Sequence, residues 1–478
     1  MLIGRDIEAK VLKDALASAS AEFIAVYGRR RVGKTYLIRE TYDGRFSFYH
    51  TGIANAGRSV QLERFARSLQ KQGLSSGKIP ANWYAAFDML EDGLAALPSG
   101  KKVVFFDELP WMDSQRSNFV SALEAFWNGW ASARKDIVLV VCGSATSWMT
   151  DKLINARGGL HNRLTHRIRL EPFTLAECER FLMARGIVAT RMQILEYYMV
   201  MGGVPYYWNY IVKGKSPAQN IDAMFFSPSG ELRGEYNHLY SSLFRKPQRH
   251  ISIVAALGRK KAGMTREELL KATGLSDNGA FSKALSELVE CGFARCYRAP
   301  GKKTHDGVFQ LMDNFTLFHY RFLADLGEDE SGTWTDMQNT TAINVWRGLS
   351  FERICLAHAE QIKRALGISG MRTRLYSWRS PRTCQADGKE MPGAQIDLLI
   401  ERADDAVNIC EMKYSAGEYE ITRDESQRML NRRERFMSES GMRGAVYITF
   451  ITTCGLAHNM YWNDVQSEVT LDDLFRDV

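Results

Sequence analysis

Eight consecutive residues constrain this chain more than any others: Gly28-Arg29-Arg30-Arg31-Val32-Gly33-Lys34-Thr35, which fit the pattern G-x-x-x-x-G-K-[ST]. Before them, Phe23-Ile24-Ala25-Val26-Tyr27 is an apolar run of strand length. After them, Tyr36-Leu37-Ile38-Arg39-Glu40 reads as the opening turns of a helix. The glycines let the backbone curl until its N–H groups point inward at phosphate oxygens, and the helix N-terminus adds the positive end of its dipole. Gly28, Arg31, Val32, Gly33, Lys34 and Thr35 are therefore candidate nucleotide contacts. Lys34 would reach the β- and γ-phosphates of ATP, and Thr35 would offer its hydroxyl to Mg²⁺.

A second run, Lys101-Lys102-Val103-Val104-Phe105-Phe106-Asp107-Glu108, is a β-rich apolar segment ending in two acids, the form of a Walker B strand. Asp107 becomes the candidate Mg²⁺ residue and Glu108 the candidate group that polarises an attacking water. The plainer alternative is a buried parallel strand that ends in an acidic loop. Acids at a strand's carboxyl end lie where open α/β sheets bind ligands.

Composition sets the frame for the rest. At 478 residues the chain exceeds what a single core organises, so two or three domains are expected. Hydrophobic residues are 45% and charged residues 24%, as in ordinary globular proteins. The formal net charge of +7 permits nucleic acid without demanding it. None of the eight cysteines falls in a C-x-x-C pair, which suggests buried thiols in a reducing compartment rather than zinc ligands or disulfides. The charged N-terminal residues do not resemble a signal peptide. The longest apolar stretch, Ile137 to Cys142, is too short to span a bilayer, so a cytoplasmic location without membrane contact is expected.

Strand-like and helix-like segments alternate up to about residue 240, as a parallel α/β sheet requires. Phe46–Thr51 reads as a strand, Val60–Gln72 and Ser117–Ala133 as amphipathic helices, and Ile137–Cys142 as a buried strand leading into Gly143-Ser144-Ala145-Thr146. The ordered set of Ile3-Gly4-Arg5-Asp6, the P-loop, Phe106-Asp107-Glu108, Cys142-Gly143-Ser144, Glu171-Pro172-Phe173 and Gly203-Val204-Pro205 resembles the STAND branch of the AAA-like P-loop ATPases, often labelled archaeal-type. The resemblance covers about half the chain. It implies a P-loop core over 1–170 and a helical lid over 171–244, with Arg5 and Pro205 close to the nucleotide. It also implies Ser144 as a sensor of the γ-phosphate, where the alternative is a plain strand-to-helix turn. Arg157 or Arg163 would be an arginine finger, where the alternative is a solvated loop arginine.

Residues 245–326 change character: helix, helix, turn, helix, then two strand-like runs around a Pro300-Gly301-Lys302-Lys303 tip. That is the layout of a winged helix. In a DNA-binding version the third helix would present Lys283 to the groove and the wing would bring Lys302 and Lys303 to phosphates. A spacer or partner-binding role is the alternative.

After an acidic linker at 327–332, residues 340–478 carry a second pattern. A long helix from Trp346 to Leu366 contains Glu352. A strand-like run holds Asp397, and after a turn a second holds Glu411-Met412-Lys413. Alternation puts Glu411 and Lys413 on one face, and Asp397 joins them if the register allows. Two carboxylates held together want a divalent ion between them. This arrangement resembles the PD-(D/E)xK nuclease superfamily. The resemblance implies Asp397 and Glu411 as metal ligands, Lys413 as the catalytic lysine and Glu352 as support. The alternative is an ordinary Glu–Lys salt bridge on a hairpin. Arg428 and Arg432, one turn apart on the next helix, would follow a DNA backbone.

The expected fold is therefore a P-loop α/β sheet with a helical lid, a winged helix and a nuclease-like α/β domain. Two functions fit it. One is an ATP- and Mg²⁺-dependent switch acting on DNA, with an endonuclease activity in the C-terminal domain. The other is an ATP-regulated scaffold or regulator whose nuclease-like C-terminal domain is inert and binds a protein partner. The partners expected across the two are DNA, a homo-oligomer or another protein.

Overall fold

The computed structural model describes residues 2–155, 159–160, 162–244, 246–260, 262–297, 307–325, 333–338, 340–380, 383–384, 390–391 and 393–477. The first sheet has five parallel strands: β1 (Glu22–Tyr27), β2 (Phe48–Thr51), β3 (Lys102–Asp107), β4 (Ile137–Gly143) and β5 (His166–Arg169), in the order β2-β3-β4-β1-β5. Strands β3 and β4 are buried along their whole length, the reason their sequences are continuous apolar runs rather than alternating ones. One face packs Phe48, Phe65, Trp83, Phe106 and Leu139, and the other packs Leu12, Ile24, Leu37, Ile38 and Val140. The chain order reverses around β1. The loop after β1 thus opens beside the ends of β3 and β4, at the crevice where such sheets take ligands.

A helical segment follows β5. Two of its helices, Leu175–Ala184 and Arg191–Met201, begin with full capping boxes at Thr174/Glu177 and Thr190/Gln193. Gly203 is required there by a close backbone approach. A Cβ on it would lie 1.8 Å from the carbonyl oxygen of Phe173, and the Phe173 N–H donates to the Gly203 carbonyl at 2.6 Å. The Glu171-Pro172-Phe173 and Gly203-Val204-Pro205 motifs are thus two sides of one contact.

Next come the helix Gln248–Arg259, β6 (Met264–Thr265), the helices Arg266–Thr273 and Gly279–Glu290, β7 (Ala294–Tyr297) and β8 (Val308–Leu311). The three strands form an antiparallel sheet in the order β6-β8-β7. The tip expected to carry Lys302 and Lys303 lies outside the described residues.

The last part is a mixed sheet of β9 (Thr373–Ser380), β12 (Ala394–Arg402), β13 (Ala406–Lys413), β14 (Ala445–Thr452) and β15 (Ser467–Thr470); the short pair β10 (Thr383–Cys384) and β11 (Glu390–Met391) lies beside it in the chain. β9, β12 and β13 run antiparallel, whereas β13, β14 and β15 run parallel, with the helix Arg423–Ser440 crossing from β13 to β14. The long helix expected from Trp346 to Leu366 starts earlier and breaks, giving Thr341–Ala357 and Ala359–Ala365. The break is at His358. Its ring hydrogen-bonds the Ile354 carbonyl through Nδ1 and accepts the Leu175 N–H at Nε2, so a tertiary contact overrides helix continuity. Leu398, Ile400, Cys410 and Met412 on one face of this sheet belong to the same core as the helical segment and the middle sheet. Ile396, Leu399, Ile409 and Phe450 on the other face form a separate core beneath the helix Arg423–Ser440.

Candidate nucleotide site and the C-terminal carboxylates

The loop after β1 curls through left-handed conformations at Arg31 and Gly33, with φ of 71° and 93°. Gly28 is fixed by space as well, since a Cβ there would lie 2.3 Å from the Leu170 carbonyl oxygen. Lys34 opens the helix Lys34–Thr41 and folds its side chain back over the loop. Its Nζ donates to the carbonyls of Gly28 (3.0 Å) and Arg29 (2.8 Å) and to Ser144 Oγ (3.0 Å). Burial lowers the pKa of this ammonium, while the nearby Glu108 and Asp107 oppose the shift. Thr35 Oγ1 donates to Asp107, 3.1 Å from either carboxylate oxygen.

Asp107 closes β3 at the same crevice. It also accepts the Cys142 thiol at 2.8 Å and the Tyr49 hydroxyl at 3.4 Å. Burial pushes the Cys142 thiol well above its usual pKa, so it stays a neutral donor. Glu108 sits in a left-handed turn, φ 48°, and Ser144 holds it from just past the end of β4: Oγ donates at 2.7 Å and the backbone N–H at 3.3 Å. Ser144 therefore bridges Lys34 and Glu108.

A cavity of about 460 Å³ lies over these groups. Its walls include Arg5, Arg31, Gly33, Lys34, Thr35, Glu108 and Pro205, which the sequence pointed to. They also include Ile3 and Phe173 from the quoted motifs, Tyr36 from the helix after the loop, and Phe181, Tyr206 and Asn209, whose place in a site no motif spacing announces. Arg5 ties the N-terminus to the helical segment. Its guanidinium donates to the Glu171 carbonyl at 2.6 Å and covers the Phe173 ring at 4.8 Å. Arg31 stacks on Tyr206 at 4.0 Å and pairs with Glu235, so this loop side chain is held by the segment that roofs the cavity. Arg163 is exposed and does not line the cavity; Arg157 lies outside the described residues.

The C-terminal residues assemble differently from expectation. Glu411 and Lys413 do share a face: Lys413 Nζ is 2.9 Å from Glu411 and 3.3 Å from Glu425, and Arg432 reaches the other Glu411 oxygen at 2.7 Å. Burial disfavours the charge on Lys413, but the two glutamates overcome it and raise the pKa. The space left among these groups is about 60 Å³, roughly the share of two liquid waters.

Asp397 does not join them, which corrects the expected metal pair. The register of β12 against β9 breaks between Ile396 and Leu399, a bulge that shifts the parity of the strand. Ala394 and Ile396 pack under the helix Arg423–Ser440, on the Glu411 side. Gln395 between them points the other way, and its amide donates to Asp397 at 2.5 Å. The carboxylate of Asp397 acts there on two arginines, the half-buried Arg295 of β7 and the buried Arg353 of the helix Thr341–Ala357. Burial lowers Arg353 to about 10 against the pull of Glu352 and Asp397. Asp397 and Glu352 thus belong to the charged seam with the middle sheet. Among the described residues, no group of three or more His, Cys, Asp or Glu side chains is placed to hold a metal ion.

The expected basic surface is also thinner than the sequence suggests. Lys283 is exposed on the helix Gly279–Glu290, and Arg428 is exposed on the helix Arg423–Ser440. Arg432 is committed to Glu411, and Arg435, on the same turns, is buried against Glu439.

Comparison with known proteins bears on the first part of the chain as a domain. Residues 2–211 match the family described as an ATPase domain predominantly from Archaea. An uncharacterised protein of Methanocaldococcus jannaschii is 24% identical over 365 residues, covering 74% of this chain and 76% of that protein. A Walker-type ATPase of Pyrococcus abyssi is similar at a TM-score of 0.49 and 17% identity, over 67% of this chain and 96% of the other. The Aeropyrum pernix ORC2 protein, in its ADPNP–ADP complexes, is similar at 0.41 and 15%, over 67% and 93%. The loop geometry and the family match together make this part of the chain a nucleotide-binding P-loop ATPase domain. No helix among the described residues is long and apolar enough to cross a membrane.

Proposed function

We propose that the chain is an ATP-operated switch whose C-terminal domain is a binding platform rather than a metal-dependent nuclease. The observation that carries the reading is that P-loop and helical segment wall one cavity, with Lys34, Thr35 and Glu108 on one side and Phe173, Pro205 and Tyr206 on the other. Nucleotide in that cavity would touch both, so its presence and its hydrolysis favour different lid positions.

Within this reading Lys34 turns its ammonium from the loop carbonyls to the β- and γ-phosphates. Thr35 and Asp107 offer hard oxygen donors side by side, a set that fits Mg²⁺. When bound, the ion supplies charge neutralisation at the phosphates. Glu108 takes the proton of the attacking water. Ser144, bonded to both Glu108 and Lys34, holds that carboxylate and responds to the γ-phosphate. Arg5, Arg31 and Pro205 shape the cavity around the nucleotide.

The strand order and directions of the C-terminal sheet, with helices on both sides, resemble the nuclease-like topology that its motif implies. The separation of Asp397 from Glu411 favours the platform role, with a protein partner or a second copy as occupant. DNA is the second reading. It is favoured by the exposed row Asn278, Ser282, Lys283 and Ser286 on one helix of a winged-helix-like unit, and by exposed Arg428.

Lys34→Ala tests the switch: nucleotide affinity or turnover is expected to fall on the order of 10²-fold or more, because the phosphates lose their main cation. Unchanged binding and turnover would end this reading. Anisotropy of labelled duplex DNA across a salt series tests the second. Phosphate contacts give a log–log slope of about −0.9 per contact, and no slope means no DNA platform.

A further inference from the structure

We infer that Arg29, a loop residue that makes no phosphate contact in the scheme above, is the coupling residue that reports the state of the P-loop to the middle and C-terminal parts of the chain. The inference rests on the nucleotide reading of the neighbouring cavity. Two observations around Arg29 point to it, one on its side chain and one on its backbone.

The Arg29 side chain leaves the P-loop on the side away from the nucleotide cavity. It forms an ion pair with Asp313, both side chains almost fully buried, and its guanidinium covers the Phe293 ring at 4.7 Å. Both partners belong to the middle part: Phe293 directly precedes β7, and Asp313 follows β8. Asp313 is itself fixed. Its second oxygen accepts the Thr316 N–H at 2.9 Å and the Thr316 hydroxyl at 2.5 Å, capping the helix Asn314–Phe318. A movement of Arg29 is therefore passed to the start of a helix rather than to a loose loop.

The backbone of Arg29 is tied to the chemistry. Its carbonyl accepts Lys34 Nζ at 2.8 Å, the same ammonium that would turn to a bound phosphate. Occupation of the nucleotide site changes the contact at one end of this residue while the other end grips Asp313.

The grip is built to yield. Among the described residues Arg29 Nε and Nη2 are buried without hydrogen-bond partners, so the pair leaves donor capacity unspent. Beside it lies a cavity of about 510 Å³, walled by Arg29, Gly203, Gly292, Asp313, Arg353 and His358. Core, helical segment, middle part and C-terminal helices all meet at this space. Arg31 makes the matching connection two residues on, to Tyr206 and Glu235 of the helical segment. The run of arginines in the P-loop thus reaches two different downstream elements.

The test uses the full chain and hydrogen exchange, with and without Mg²⁺ and a non-hydrolysable ATP analogue, with analogue binding measured on the same samples. In the parent, nucleotide is expected to change protection of the segment 308–325. The paired variant Arg29→Gln/Asp313→Asn removes both charges at once, since removing either alone would strand the other. It is expected to keep analogue affinity within about threefold while losing the change at 308–325, as a coupling residue should. Should that variant fail to fold by circular dichroism, Phe293→Leu loosens the guanidinium with charges intact and is expected to weaken the same response. A variant that binds the analogue and still shows the parental change overturns the inference, as does a parent that binds and shows no change. A parent that does not bind the analogue sinks the nucleotide reading instead.

Discussion

The P-loop and the hairpin of β12 and β13 carry motifs of similar clarity, yet only the first is assembled as its residues suggest. In the P-loop, Gly28 to Thr35 are consecutive, so a single turn of backbone brings Lys34 onto the loop carbonyls and Thr35 beside Asp107. On the hairpin, Asp397 and Glu411 meet only if two strands keep one register, and one extra residue at the bulge before Leu399 parts them. A motif held within a loop survives small shifts of the fold. A motif split across strands is lost to a shift of one residue, because strand parity has a period of two.

The largest expected effect sharpens the P-loop side. Glu108→Gln is expected to keep nucleotide and to lose turnover by about 10²- to 10⁴-fold, because the amide cannot accept a proton from water. Phosphate release and filter binding on the same preparation separate the two. Parental turnover in this variant would move the base elsewhere in the cavity.

A smaller effect is expected where the lid meets the core. Gly203→Ala places a methyl group 1.8 Å from the Phe173 carbonyl oxygen, so backbone must move. Destabilisation of about 1–3 kcal/mol in urea titration is expected, with weakened nucleotide binding, since Phe173 and Pro205 wall the cavity. Unchanged stability would mean the contact between the two motifs is loose.

The smallest effect is the one most able to break the comparison. Asp397→Ala and Glu411→Ala are each expected to leave Mg²⁺ or Mn²⁺ binding to the full chain unaltered in calorimetry, apart from any ion held with nucleotide. A site lost in both variants would show that the two carboxylates come together after all and would restore the nuclease reading.

Much of the first domain was legible because its signals are local or periodic. The apolar runs at β1, β3 and β4 reflect burial on both faces, and the glycines at 28 and 33 mark the loop between strand and helix. The walls of the cavity were less so. Phe181, Tyr206 and Asn209 belong to a segment far along the chain, and their side chains become neighbours of Lys34 only after the helices dock. The basic surface shows the same limit: Arg428, Arg432 and Arg435 share a helix face by spacing, but only Arg428 is left exposed once Glu411 and Glu439 have taken the other two.

The sequence by itself determined the P-loop, the acid-ended strand beside it and the order of helices and strands that follows, because each is written in neighbouring residues or in a repeating pattern of burial. Only the tertiary structure decided that Asp397 and Glu411 stay apart, that the helix through Glu352 breaks at His358, and that Arg29 finds Asp313 across the molecule. Those outcomes turn on strand register and on contacts between residues 183 and 284 positions apart. The free energy of each depends on the space and the charges that the rest of the fold brings to it.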